Sequence, residues 1–216
     1  SNVFCTLNPL TGNCTLTNGN LSWDATPSNY AHNAATFGVS AGKWYWEHKP
    51  SHSCASIGIT DFDWEMQKRG ALIYAASGQS YSYEGNGYVS HNSYGDMSSS
   101  YASYSTEVIG VALDLTNNKL YFSKSGVWNN SADPANNTNG LAIDAPSTLT
   151  GGVYSPLVAD LCSATVATGA CNFGQGFFGT TAVSSANADA NGHGAFEYTV
   201  PNGFYALCTK NLKEFG

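Results

Sequence analysis

Apolar side chains along this chain recur at every second position in short runs, and no long window sets them at helical spacing. Ile109, Val111, Leu113 and Leu115 share one face of an extended segment, and Leu120 and Phe122 share one face of the next. A period of two belongs to half-buried strands. Between the runs, Asn117-Asn118 suits the positive φ angles of a two-residue turn, with Asp114 and Thr116 flanking it as solvated polar residues. Residues 108–128 therefore predict a β-hairpin.

The same pattern recurs elsewhere. In Lys43–His48, Trp44 and Trp46 point to one face and Lys43, Tyr45 and Glu47 to the other, and paired tryptophans make a core anchor. Ala55–Thr60 reads as a partner strand, followed by an acidic loop at Asp61–Glu65. Further strands are predicted at Val3–Leu7, Asn20–Trp23, Val153–Asp160 and Ala170–Gln175, and Thr36–Val39 leads through a turn at Ala41-Gly42 into the tryptophan run. Phe196–Val200 and Phe204–Thr209 close the chain, and residues 131–149 and 180–194 read as loops. About a dozen short strands separated by turn signals imply an all-β, two-sheet antiparallel sandwich. With no internal repeat and no linker, residues 1–216 read as a single domain.

Composition narrows the function. Charged residues are 11% of the chain, the formal net charge is −7, and Arg69 is the only arginine. A nucleic-acid partner needs a basic stripe to neutralise phosphates, and an anionic membrane surface draws on the same charge. Neither fits. No apolar run approaches the ~20 residues of a membrane-spanning helix, so no membrane insertion is expected. The chain opens at Ser1 with no signal-peptide pattern and no methionine, which reads as a processed chain or a piece of a longer one.

Six cysteines make an even count without a Cys-x-x-Cys pair. Cys162 and Cys171 flank a segment that a hairpin would close, Cys5 and Cys208 lie near opposite termini, and Cys14 and Cys54 remain as a third pair. Buried free thiols are the equal alternative. Four Asn-x-Ser/Thr sequons, at Asn13, Asn20, Asn129 and Asn136, match what chance gives in so asparagine-rich a chain.

Several motifs carry chemistry only in the right context. Gly38–Gly42 matches the nucleophile elbow, which needs a following helix where here a strand follows. Gly174–Gly179 matches G-x-G-x-x-G without the helix that would hold a pyrophosphate, so it reads as a glycine-rich strand end. His48 and His52 stand four apart, but Pro50 breaks the helix such a metal pair needs, leaving solvated loop histidines. Asp61, Asp63 and Glu65 alternate as the carboxylates of a laminarinase-like glycosidase do, and Asp61 with Asp63 are weak calcium candidates. The run continues as Met66-Gln67-Lys68-Arg69, an irregular loop, so no catalytic role and no cofactor is expected.

Residues 74–104 hold seven of the thirteen tyrosines and nine serines, with Glu84 and Asp96 as the carboxylates. Tyrosine gives large, rigid, amphipathic contact area at low entropic cost, and Ser, Gly and Asn adapt their hydrogen bonds around it. Tyr81, Tyr83, Tyr88, Asn92 and Tyr94 are the candidate ligand-binding residues; the plain alternative is tyrosines divided between core and surface. Trp64 and Trp128 are expected in the core.

Residues Phe37–Glu47, Ile57–Thr60, Tyr83–Tyr88, Val108–Trp128, Tyr154–Leu157 and Asn172–Gln175, in this order, resemble the SPRY domain family over about residues 35–207. Cys5–Leu10 and Gly203–Thr209 resemble the SPRY versions of bacteriophage tail and virion proteins. The resemblance implies a bent concanavalin-like, jelly-roll-like sandwich on which residues 1–34 pack as N-terminal strands. It also implies a non-enzymatic binding module on the virion surface, as in a tail fibre, attaching to a host glycan or protein as one of many, homo-oligomeric copies. A structural decoration protein of the particle and a laminarinase-like hydrolase are the alternatives.

Overall fold

The computed structural model describes residues 1–26, 30–62, 80–163 and 165–216. Within them two β-sheets face each other. The first runs, in spatial order, β1 (Leu7–Gly12), β4 (His32–Ala35), β13 (Tyr154–Asp160), β6 (Ala55–Asp61), β7 (Ser80–Glu84) and β8 (Val89–Ser90). The second runs β11 (Val127–Trp128), β10 (Lys119–Lys124), β9 (Ile109–Asp114), β5 (Lys43–Pro50), β14 (Thr168–Asn172), β3 (Ser22–Asp24) and β2 (Thr15–Thr17). β12 (Leu141–Ala142) pairs with β10, and β17 (Tyr205–Ala206) lies parallel to β5. β15 (Phe177–Phe178) and β16 (Thr181–Ala182) form a separate ribbon. Apart from β17 the pairing is antiparallel, as the alternation of the sequence implies.

The strand β5 shows why. Trp44 and Trp46 are buried between the sheets, in one cluster with Ile57 and Ile59 of β6, Tyr83 of β7 and Val158 of β13. Removing either indole leaves a core cavity costing about 3–5 kcal/mol. Tyr45 and Glu47 point the other way, where a plain sandwich is wet, yet both are buried as well. The chain between Asn187 and Ala206 crosses that outer face, and Phe196, Val200 and Phe204 pack there with Tyr45 and Tyr121. Tyr45 meets Phe196 edge-on, with ring centroids 5.1 Å apart. Trp128 packs half-buried against the same cluster.

Glu47 clasps this cover to the sheet. Its Oε1 accepts the N–H of Tyr198 at 2.8 Å and the hydroxyl of Tyr45 at 3.0 Å. Its Oε2 accepts the N–H of Glu197 at 2.8 Å and the side-chain amide of Asn172 at 3.2 Å. A buried carboxylate is tolerated only with such a full set of donors.

Segment 196–200 forms no strand beyond an isolated bridge at Phe196, and three further features of the fold differ from the expectations above. The β9–β10 turn encloses four residues rather than two, because Asp114 pairs with Lys119, and within it Asn118 alone has positive φ, at 51°. Asp114 is fully buried, not solvated: Oδ1 accepts the N–H groups of Thr116 and Asn117 at 3.0 Å each, and Oδ2 lies 2.8 Å from Lys43 Nζ. A carboxylate that satisfies the turn's donors replaces the solvent that was expected to do so. Second, the strand predicted at 204–209 shortens to β17 and gives way to a helix, α1 (Thr209–Phe215), whose Leu212 and Phe215 pack on the core. Seven residues show too little period for a sequence pattern to reveal.

Third, the cysteines pair differently. Cys54 bonds to Cys162 across 108 residues of sequence, while Cys5, Cys14, Cys171 and Cys208 are free. Cys162 follows β13 in the first sheet and Cys171 lies on β14 in the second, so no hairpin joins them. The termini do meet, but the bridge sets Phe4 opposite Cys208, which turns Cys5 to the other face. Burial pushes the Cys5 thiol up to about 11 and the Cys14 thiol up to about 12.

The glycine motifs are structural. Gly174 and Gly176 have φ of 120° and 83°, and Asn172 Oδ1 accepts both their N–H groups at 3.0 Å. Residues 38–42 form a turn entering β5, with Val39 bridged to Tyr154.

Burial lifts the Glu47 carboxyl from the ordinary 4.5 to about 6, against the backbone and side-chain hydrogen bonds that favour its ionised form. The folded chain therefore holds this proton more tightly than the unfolded chain, and Glu47's contribution to stability falls as pH rises from 4.5 to about 6. Denaturant unfolding at about pH 4 and about pH 7 is expected to show wild type losing about 2 kcal/mol more than Glu47→Gln. Parallel curves for the two proteins contradict this assignment.

Candidate binding surface

One end of the sandwich is built from the chain between β7 and β9. On β7, Tyr83 lies opposite Ile57 and Tyr81 opposite Ile59, so both rings point into the core with their apolar partners. Neither is a surface contact residue: Tyr81 is 2% exposed and Tyr83 not exposed at all. This corrects their candidacy as ligand-binding residues. Tyr81 stacks on His91 with centroids 3.9 Å apart, and its hydroxyl accepts the N–H of Asp144 at 2.9 Å.

The buried tyrosines fasten the long loop that follows. Tyr83 donates its hydroxyl proton to the carbonyl of Ala102. Tyr104 places its hydroxyl 2.8 Å from the carbonyls of both Ala55 and Tyr83. Tyr83 also meets Tyr101, Tyr104 and Phe122 at ring-centroid distances of 5.6, 4.8 and 5.2 Å. Such aromatic pairs add about 0.5–1.5 kcal/mol each beyond their burial.

Directly after the Gly85–Gly87 turn, at Tyr88 and Tyr94, the tyrosines change role. Tyr94 is 49% exposed and Tyr88 half-buried, with ring centroids 4.9 Å apart. Asn86 holds both: its amide nitrogen donates to the Tyr94 hydroxyl, and its Oδ1 accepts the Tyr88 N–H at 3.1 Å. Gly95, at φ 68°, lets the Tyr88 ring approach; a Cβ there would stand 2.7 Å from Tyr88 Cδ2. Asn92 is exposed on the neighbouring turn, where Asp96 accepts the N–H groups of His91 and Asn92 at 2.8 and 3.0 Å. Of the sequence candidates, the structure thus brings Tyr88, Asn92 and Tyr94 to one exposed loop cluster.

The sequence reading did not single out Asn86, Ser53 or Glu84. A hollow of about 210 Å³ is lined by these three with Tyr94, Leu161 and the Cys54–Cys162 disulfide. Glu84 lies buried in its wall and accepts a hydrogen bond from the Ser90 hydroxyl. A second hollow, of about 460 Å³, shares Ser53 and Asn86 and reaches to the Glu107–Lys124 ion pair, 2.8 Å long.

A different recess, about 470 Å³, opens on the outer face of the second sheet where the 187–206 cover stops. Strand register sets two rows of outward residues there: Thr15, Asp24 and Thr168 in one, and Thr17, Ser22, Ala170 and Lys49 in the other. Phe178 of the β15–β16 ribbon forms its wall.

The remaining chemical candidates do not assemble. Asp61 is buried, and its two oxygens accept the N–H of Gly151 at 3.1 and 2.8 Å. Asp63, Trp64 and Glu65 lie outside the described residues, so the carboxylate run has one member in view. His48 is not a solvated loop histidine. It is buried on β5, its Nε2 accepts the indole N–H of Trp23 at 2.8 Å, and burial pushes it down to about 3. His52 is exposed in the following loop, where its Nδ1 accepts the Cys54 N–H at 3.1 Å.

No protein-family model matches the chain, and no curated protein sequence matches it. Solved structures do. The human HERC1 SPRY domain aligns with a TM-score of 0.59 at 14% identity, over 76% of this chain and 96% of that one. The TRIM65 PSpry domain aligns at 0.54 and 17% identity, over 78% of this chain and 92% of that one. Stonustoxin aligns at 0.55 and 19% identity, over 78% of this chain but 27% of the toxin chain. These likenesses show a SPRY-like β-sandwich.

Burial pushes the Glu84 carboxyl up from 4.5 to about 7, with the Ser90 hydroxyl opposing it. The wall of the smaller hollow is therefore expected to change charge near neutral pH. A carbon-13 titration of the Glu84 carboxyl should show its midpoint at about 7. A midpoint below about 5, the range of an ordinary glutamate, contradicts the placement of this side chain.

Proposed function

We propose that this chain is a non-enzymatic binding module that docks a host-surface protein through the Tyr88–Tyr94 loop cluster, displayed on the surface of a virus particle. The observation that carries the reading is a tyrosine pair on a fastened loop, Tyr94 exposed and Tyr88 half-buried beneath it. Tyr94 leans on Tyr88, Asn86 holds both, and buried Tyr83 and Tyr104 tie the loop to the sandwich. A surface already held in shape loses little entropy on docking, so less of its contact energy is consumed in ordering the loop. The SPRY-like fold supports a recognition role by analogy, and fold alone does not assign one.

The virion setting is supported by the resemblance of Cys5–Leu10 and Gly203–Thr209 to phage tail and virion proteins. Those segments meet in the fold, with the Cys5 N–H donating to the Leu207 carbonyl at 2.9 Å. Many copies on one particle convert weak single contacts into firm attachment. A glycan is the second reading, and it belongs to the outer recess, where Thr15, Thr17, Ser22 and Thr168 offer hydroxyls beside Asp24 and the Phe178 ring.

Binding of the labelled chain to host cells separates these readings. Tyr94→Ala and Tyr88→Ala are expected to lower binding at least about tenfold while the fold survives, since each removes an aromatic anchor. Protease treatment of the cells is expected to abolish binding. Loss on Asp24→Ala or on glycan removal, with Tyr94→Ala unaffected, moves the function to the recess. A change in self-association instead of cell binding identifies a structural coat role and contradicts the attachment reading.

A further inference from the structure

We propose that Cys54, Cys162 and Asp160 form a redox-gated zinc site, closed while the two cysteines are joined and opened by their reduction. The two Sγ atoms and an Asp160 carboxylate oxygen all lie within 4.8 Å of one another, on the paired ends of β6 and β13. Asp160 is 1% exposed. One of its oxygens, Oδ1, accepts the Cys162 N–H at 3.0 Å. The other, Oδ2, is buried without a hydrogen bond of good geometry among the described residues, while the Ala167 backbone N–H and the His52 ring add to the field at this carboxylate.

That oxygen, without a well-placed donor, is the telling feature. A buried carboxylate oxygen normally has a donor or a cation, and its absence needs a reason. Two thiolates and a carboxylate within reach of one centre make a donor set suited to zinc, since thiolates select thiophilic cations over calcium or magnesium. The hollow lined by Ser53, Glu84 and Tyr94 reaches both cysteines and supplies an entry path and room for water in a fourth position.

The chemistry balances without the rest of the fold moving. A phosphine reduces the S–S bond: phosphorus takes oxygen from water, and the two protons of that water pass to the two sulfur atoms. Zinc then displaces both thiol protons. Tetrahedral Zn–S bonds need the sulfurs about 3.7 Å apart. The Cα atoms of the two cysteines are 5.4 Å apart, so side-chain rotation suffices.

The test is a cobalt titration of the full chain after anaerobic phosphine reduction and desalting, with zinc as competitor. The proposal expects one cobalt per chain, a near-ultraviolet sulfur-to-cobalt charge-transfer band, displacement by zinc, and no band in the oxidised protein. Asp160→Asn keeps both thiols and should weaken cobalt binding at least about tenfold, since losing even a hydrogen-bond partner of a metal ligand typically costs that much. Cys14→Ser should leave the titration unchanged. Should the reduced chain unfold, zinc is expected to refold it, as circular dichroism would show. No cobalt band on reduction, an unchanged Asp160→Asn affinity, a band lost in Cys14→Ser, or an unfolded chain that zinc does not rescue each overturns the proposal.

Discussion

Burial of β5 on both faces is the constraint on which the rest of this structure depends. Trp44 and Trp46 fill the space between the sheets, and Tyr45 and Glu47 are sealed by the chain that crosses after Asn187. Two tryptophans drive the first face by removing large apolar area from water. The second face is mixed, with Tyr45 apolar toward Phe196 and Glu47 polar toward the backbone of Glu197 and Tyr198. A charge there is stable only because the crossing segment brings its own donors. Sheet and cover therefore specify one another: without the cover Glu47 is wet, and without Glu47 the amides of the cover are orphaned.

The cover also sets which parts of the surface stay open. It occupies the outer face over β9, β10 and part of β5, and leaves open the recess over β14, β3 and β2. Among the described residues, the proposed docking then rests on that recess or on the loops at the end of the sandwich. The loops are the better prepared, because tyrosine hydroxyls tie loop to sheet: Tyr83 donates to the loop carbonyl of Ala102, and Tyr104 reaches the strand carbonyls of Ala55 and Tyr83. Anchoring by Tyr83 and Tyr104, at the two ends of the loop, and display of Tyr88 and Tyr94 between them are two uses of one residue type.

Much of this was legible in residue order. Alternation placed Trp44, Trp46 and the 109–115 face in the core, and the length of the runs implied two sheets. The same alternation contained the answer for the tyrosines. Tyr81 and Tyr83 share parity on one strand, whereas Tyr88 and Tyr94 follow a glycine turn, yet composition drew attention to the whole stretch at once. Other features were hidden because they are set at long range. Nothing near Glu47 announces that residues 150 positions later cover it. Nothing near Cys54 points to Cys162, because the pairing follows from β6 and β13 lying side by side. Asp114 reads as a wet turn residue until the cross-strand Lys43 is in place.

The division of the tyrosines into a buried anchoring set and an exposed docking set is tested most directly by hydroxyl-radical footprinting, free and bound to host cells. In the free chain Tyr94 and Tyr88 are expected to be modified and Tyr81, Tyr83 and Tyr104 protected, following their exposure. On binding, Tyr94 and Tyr88 should become protected while the others stay unchanged. Ready modification of Tyr81 or Tyr83 in the folded chain, or undiminished modification of Tyr94 in the bound one, contradicts the account.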